Sequence, residues 1–165
     1  MTDDITGYIR KEALVNGVSN AVFNGLAAWY LLKNKEWMPV WGNSGIAVDI
    51  VATAAILLFI VALILIPLNA SKKRKGKAPA FSWDASNRLH RVTQCMPGKL
   101  VARAFCFAGV GIVLVAPVSL LPYVVFGIEG MSGADYAIVK GVWAGIMAAV
   151  MCIPMIQLGL AESGD

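Results

Sequence analysis

Charge is what this chain has least of. Only 15% of its residues are Asp, Glu, Lys or Arg, where a water-soluble domain carries about 25%. Hydrophobic residues make up 58%, and the mean hydropathy is +0.69. Those values exclude an ordinary soluble globule and a disordered chain, which lacks apolar surface to bury. Three cysteines in 165 residues are too few to staple a small secreted fold. They form no Cys-x-x-Cys pair, so thiol oxidoreductase chemistry has no motif here. The single histidine, His90, excludes bis-histidine haem ligation within one chain and a zinc site built from several histidines. No Walker A loop, Gly-x-Ser-x-Gly elbow or His-Glu-x-x-His helix occurs. Neither an enzyme nor a cofactor is expected.

What the chain has is aliphatic length. A helix needs about 20 mostly apolar residues to cross a hydrocarbon core about 30 Å thick. Four stretches fit, near residues 13–32, 46–68, 100–128 and 134–160. The first is interrupted by asparagines and the second holds one charge, Asp49. The third carries Arg103, Pro117 and Pro122, and the fourth Lys140, Pro154 and Gln157. The expected fold class is an all-α membrane protein of four transmembrane helices arranged as two helical hairpins, with a short cytoplasmic interfacial helix. It forms a single integral membrane domain: hairpin one at about 8–68, a basic loop at 69–99 and hairpin two at about 100–160.

Orientation follows from bases in the short loops. The segment after the second span holds Lys72, Lys73, Arg74, Lys75, Lys77, Arg88, Arg91 and Lys99 against one acid, Asp84. The other two connections offer Lys33 and Lys35 beside Glu36, and Glu129 with no base. The basic loop and both termini are therefore expected in the cytoplasm, in a bacterial inner membrane. Trp29, Tyr30, Trp37, Trp41, Tyr123, Phe126, Tyr136 and Trp143 cluster at the span ends, where amphipathic rings meet headgroups. No cleavable signal follows Asp3 and Asp4, so the first span is expected to direct insertion.

The run of Lys72, Lys73, Arg74, Lys75 and Lys77 suits anionic lipid or a partner protein, at about 1 kcal/mol per base near a lipid surface. No nucleic-acid-binding motif accompanies it, so no nucleic acid is expected. Beyond it, Ala85, Leu89, Val92 and Met96 recur at helical spacing opposite Asn87, Arg88 and Arg91. Residues 84–96 thus read as a short helix on the membrane surface, capped by Asp84 and anchored by Phe81 and Trp83.

Inside the spans the polar residues form a pattern. Glu12, Asn16, Asn20 and Asn24 recur every four residues, with Ser19 beside them. A step of four drifts about 40° around a helix, so the four make one stripe about 18 Å long. Such a stripe cannot face acyl chains without leaving polar groups unpaired. It either bonds neighbouring helices or lines a polar path. Glu12 and Asp49 are 37 residues apart, as are Arg103 and Lys140, which suggests duplicated hairpins. Matching depths predict contacts of Glu12 with Arg103 and of Asp49 with Lys140, within a chain or between two copies, because a partner lowers the cost of a charge in a span.

Pro117 and Pro122, after Gly109 and Gly111, should bend the third span, with Ser119 placed to bond a freed carbonyl. Ser132 and Asp135 make an S-x-x-D helix start, and Gly141 and Gly145 allow close helix packing, within or between protomers. The function expected is transport or conduction of a small solute or ion by a homo-oligomer in the lipid bilayer, with the stripe lining the path. The alternative is a non-transporting accessory or scaffold subunit that presents the basic loop to lipid or a partner protein.

Overall fold

The computed structural model describes residues 3–161. Five helices account for most of the chain: α1 (Asp3–Leu32), α2 (Ile46–Arg74), α3 (Arg88–Gln94), α4 (Leu100–Val125) and α5 (Gly133–Ala161). Sheet is limited to two short strands, β1 (Met38–Pro39) and β2 (Gly130–Met131). Helices α2, α4 and α5 are long and apolar enough to cross a membrane. Helix α1 matches them in length, with 30 residues, but its asparagines lower its hydropathy.

The long helices lie side by side in the order α1, α5, α2, α4. This differs from the expected pairing of sequence neighbours: the main partner of α1 is α5, and that of α4 is α2. Small residues explain the first choice. A Cβ on Gly145 would lie 2.7 Å from the Ala21 Cβ and 2.9 Å from the Gly17 carbonyl oxygen. Gly25 likewise sits against Gly141. The backbones of α1 and α5 therefore touch, which only residues without bulk permit. The Gly141 and Gly145 motif thus serves packing within the chain. Below it, the end of α5 forms a core in which Met155, Ile156 and Leu160 are fully buried, together with Ile5 and Ile9 of α1 and Ile66 of α2.

Helix α4 continues through both prolines. Pro117 has no N–H to give and its ring crowds the carbonyl of residue 113, the requirement that widens a turn. The strain is taken up as a π-turn at Gly111–Val115, where the Ala116 N–H donates to the Gly111 carbonyl. The anticipated bend is accordingly a widened turn in an unbroken helix.

Strands β1 and β2 pair antiparallel, Met38 opposite Met131 and Pro39 opposite Gly130. The Val40 N–H donates to the Glu129 carbonyl at 2.8 Å and the Gly133 N–H to the Lys35 carbonyl at 2.9 Å. A Cβ on Gly130 would collide with the Met38 carbonyl and the Trp37 ring. Two residues per strand leave no alternating pattern by which the sequence could announce the ribbon. At the start of α5 the cap has the expected form: the Asp135 N–H donates to Ser132 Oγ at 3.1 Å, and Ser132 Oγ donates to Asp135 Oδ2 at 2.6 Å.

The short helix α3 departs from expectation in three respects. Its cap is Asn87, whose Oδ1 accepts from the Leu89 and His90 N–H groups. Asp84 instead closes its own turn, accepting from the N–H and Oγ of Ser86, and those bonds hold its carboxyl below the usual range. Phe81 is no membrane anchor, for it is buried against the rings of Trp83 and His90. Leu89 and Val92 do face outward, while His90 and Thr93 face α5 as buried residues.

Candidate functional site: a polar cleft between two ion pairs

Helices α1 and α2 stand apart along most of their length and leave a cleft of about 500 Å³. Asn16, Asn20 and Asn24 line it from α1, and Asp49, Thr53 and a row of isoleucines from α2. The four-residue spacing sets how the asparagines are used. Each Nδ2 donates to the carbonyl one turn back: Asn16 to Glu12 at 2.8 Å, Asn20 to Asn16 at 2.9 Å and Asn24 to Asn20 at 3.0 Å. A carbonyl only accepts, so the amide nitrogen must be the atom facing it. Each Asn therefore spends one of its two N–H groups on its own helix and leaves its Oδ1 with no hydrogen-bond partner among the described residues. It does not bond a neighbouring helix. Ser19 lies outside the cleft, exposed on the outer surface of α1.

Beyond the Asn16 end, two contacts cross from α1 to α2. Lys72 Nζ donates to Glu12 Oε1 at 2.8 Å, and Tyr8 Oη donates to Asn69 Oδ1 at 2.8 Å. At the other end Lys140 Nζ donates to Asp49 Oδ1 at 2.8 Å and Oδ2 at 2.6 Å, and Tyr136 Oη donates to Oδ2 as well. The anticipated contact of Asp49 with Lys140 is therefore present. That of Glu12 with Arg103 is not made within the chain. The outer helices α1 and α4 sit on opposite ends of the row, and Arg103 Nε donates to the Pro97 carbonyl at 2.7 Å. Of the basic run, Lys72 belongs to this ion pair, Lys73 is half-buried, and Arg74, Lys75 and Lys77 are exposed.

A second, mainly apolar cleft of about 310 Å³ lies between α4 and α5, lined by Pro122, Tyr123, Tyr136, Lys140 and Trp143 among others. Trp143 Nε1 donates to Ser119 Oγ at 2.8 Å, and that hydroxyl donates to the Val115 carbonyl at 2.6 Å. The Asp49 cluster thus separates the clefts: its carboxylate lines the first, its Lys140 and Tyr136 partners the second.

Sequence reading missed Tyr136, Tyr8, Asn69 and Lys72 as members of these clusters. Tyr136 had a usable signal, being one turn before Lys140 on the same helix face. Also missed was the contact of His90 with Gln157, both buried. His90 Nδ1 accepts from the Asp84 N–H at 3.2 Å, so Nε2 carries the ring proton. Nε2 lies 3.5 Å from the Gln157 amide nitrogen, and Gln157 Oε1 has no partner among the described residues. Turning that amide over gives the ring proton an acceptor.

Among the described residues, no group of three His, Cys, Asp or Glu side chains converges to hold a metal ion. Set beside family models, curated proteins and solved structures, the chain matches none of them.

Proposed function

We propose that the chain is a four-span protein of a bacterial inner membrane that transports or conducts a small solute along the α1/α2 cleft, as a homo-oligomer. The observation that carries this reading is the ladder of three unpartnered Asn oxygens along the cleft. A polar wall of that length has no use against lipid and stabilises little if left dry. Helix α1 qualifies as the fourth span because its backbone runs against apolar α5 from Gly17 to Gly25, and because Leu14, Val18, Val22, Leu26 and Leu31 cover its outer side. The basic connection puts loop 75–99 and both termini in the cytoplasm by the positive-inside rule. The cleft opens sideways, and a second copy laid over it would shield the asparagines from acyl chains.

The test is aqueous labelling of single cysteines at positions 16, 20 and 24 in a chain whose own three cysteines are replaced. Rates near those of a loop control are expected, with a cysteine at lipid-facing Val113 inert. Three inert positions beside a reactive loop would overturn the path. A scaffold reading is favoured by one observation, the exposure of Arg74, Lys75 and Lys77 at the end of α2, which suits anionic headgroups. It predicts that neutralising those three abolishes function with orientation kept, while asparagine changes are silent.

A further inference from the structure

Resting on that transport reading, we infer the class of cargo: an amphiphilic organic ammonium ion, with Asp49 as its counter-ion. Among the described residues, the one formal charge lining the cleft is the Asp49 carboxylate. Each asparagine spends one of its two N–H groups within α1 and leaves its Oδ1 open, and among the described residues no Lys, Arg or His lines the cleft. An anion would face the Asp49 carboxylate with no basic group in the lining to offset it, whereas an ammonium group finds that carboxylate and the Oδ1 atoms as acceptors.

The facing wall sets the rest of the cargo. Ile56, Ile60 and Ile64 repeat every four residues opposite the asparagines. A hydrated inorganic cation would give up water there and gain nothing, while a hydrocarbon chain gains burial. Spacing points the same way. Successive asparagines are about 6 Å apart along the helix axis, from a rise of about 1.5 Å per residue. A single ion can bridge at most neighbouring turns, whereas an extended molecule can run along all three. The cleft volume of about 500 Å³ falls within the range of about 300–1,000 Å³ typical of pockets for organic ligands.

Asp49 has room for a guest. Oδ1 accepts one bond from Lys140, while Oδ2 accepts from both Lys140 and Tyr136. A carboxylate oxygen has two lone pairs, so an ammonium group can join at Oδ1 before any existing bond breaks. Guest and Lys140 then repel each other across a shared carboxylate, and binding loosens the tie between α2 and α5.

The experiment uses the full chain in lipid nanodiscs with one reporter cysteine, I60C, on the apolar wall. Thiol labelling is timed with n-octylammonium, n-octanol or n-octyl sulfate present, each at equal concentration, with empty discs correcting for partition into lipid. The ammonium probe is expected to slow labelling about tenfold more than either analogue. In D49N/K140Q, which removes both charges together, that preference should vanish. N20L carries the same test with the ion pair intact: a weakened ammonium preference supports the assignment and an unchanged one overturns it. Equal protection by all three probes, or stronger protection by the sulfate, overturns the cargo class. If I60C and N20C label freely yet show no ammonium preference, the path survives and only the cargo class falls. If neither labels without any probe, both fall.

Discussion

The two sides of α1 carry the same repeat in different chemistry. Gly17, Ala21 and Gly25 recur every four residues, and so do Asn16, Asn20 and Asn24, one residue earlier in each case. One residue turns a helix by about 100°, so the stripes lie on different flanks. The glycine flank meets α5 with backbone against backbone. The asparagine flank faces α2 across an open cleft. Bulk decides which flank binds: close approach gains many dispersion contacts at once, whereas each asparagine is already bonded to its own helix and gains little from a neighbour. With its hold on α5 secured, α1 can stand away from α2 and keep the cleft.

The difference can be broken most severely on the glycine side. G145L drives a branched side chain into Ala21 and the Gly17 carbonyl, and a cost of about 3 kcal/mol or more is expected for such overpacking. It should show as lost monodisperse protein and a lowered thermal midpoint in detergent. K140A comes next, leaving the Asp49 carboxylate with Tyr136 alone. Breaking a fully buried pair costs about 3–5 kcal/mol, and because the Asp49 side chain is 35% exposed a loss nearer about 2 kcal/mol is expected. Adding D49N should restore part of it. A double variant less stable than both singles would mean that the two charges do not depend on each other.

E12Q sharpens the contrast at the opposite end of the cleft. The pair of Glu12 and Lys72 has side-chain exposures of 17% and 30%, so under about 1 kcal/mol is expected, falling further as salt is raised. The smallest effect belongs to N20A. It removes a bond made only within α1 and inserts a better helix former, so stability should stay within about 0.5 kcal/mol of the parent. Solute movement through the cleft should nevertheless fall. An N20A protein unfolding several kilocalories earlier would show that the asparagines bind helices together after all.

Much of this arrangement was legible in the sequence, for identifiable reasons. Helices α2, α4 and α5 are continuous apolar runs whose length alone announces them. Asp49 and Lys140 are each the lone charge beyond the first residues of a long apolar stretch, Asp135 standing at the very start of its helix, so depth was enough to match them. Within the chain depth did not find the partner of Glu12, because it gives height in the membrane and says nothing of neighbours. The row order that separates α1 from α4 depends on which small residues interlock. The partner Glu12 does take, Lys72, lies past Leu68, where hydropathy falls and the sequence reads as loop, yet α2 continues to Arg74. The ladder was visible as spacing, but its self-bonding was not, since i to i−4 donation by asparagine competes evenly with bonding elsewhere. Phe81 and His90 were hidden for another reason: a loop of mixed polarity does not reveal which of its residues fold back.

The wide turn of α4 sets the rotational phase of everything after it. The residues of α4 buried against the rest of the molecule are Ala104, Phe107, Gly111, Ala116 and Tyr123. From Gly111 to Ala116 the step is five, where an α-helical seam advances by three or four. The extra residue acts as a vernier, turning the outer half of the helix by about 100° against the inner half. Ser119 reaches the Trp143 indole only in that setting. Shortening the turn by one residue would therefore act less as a truncation than as a rotation, swinging Ser119 off its indole while leaving the 100–110 segment seated as before.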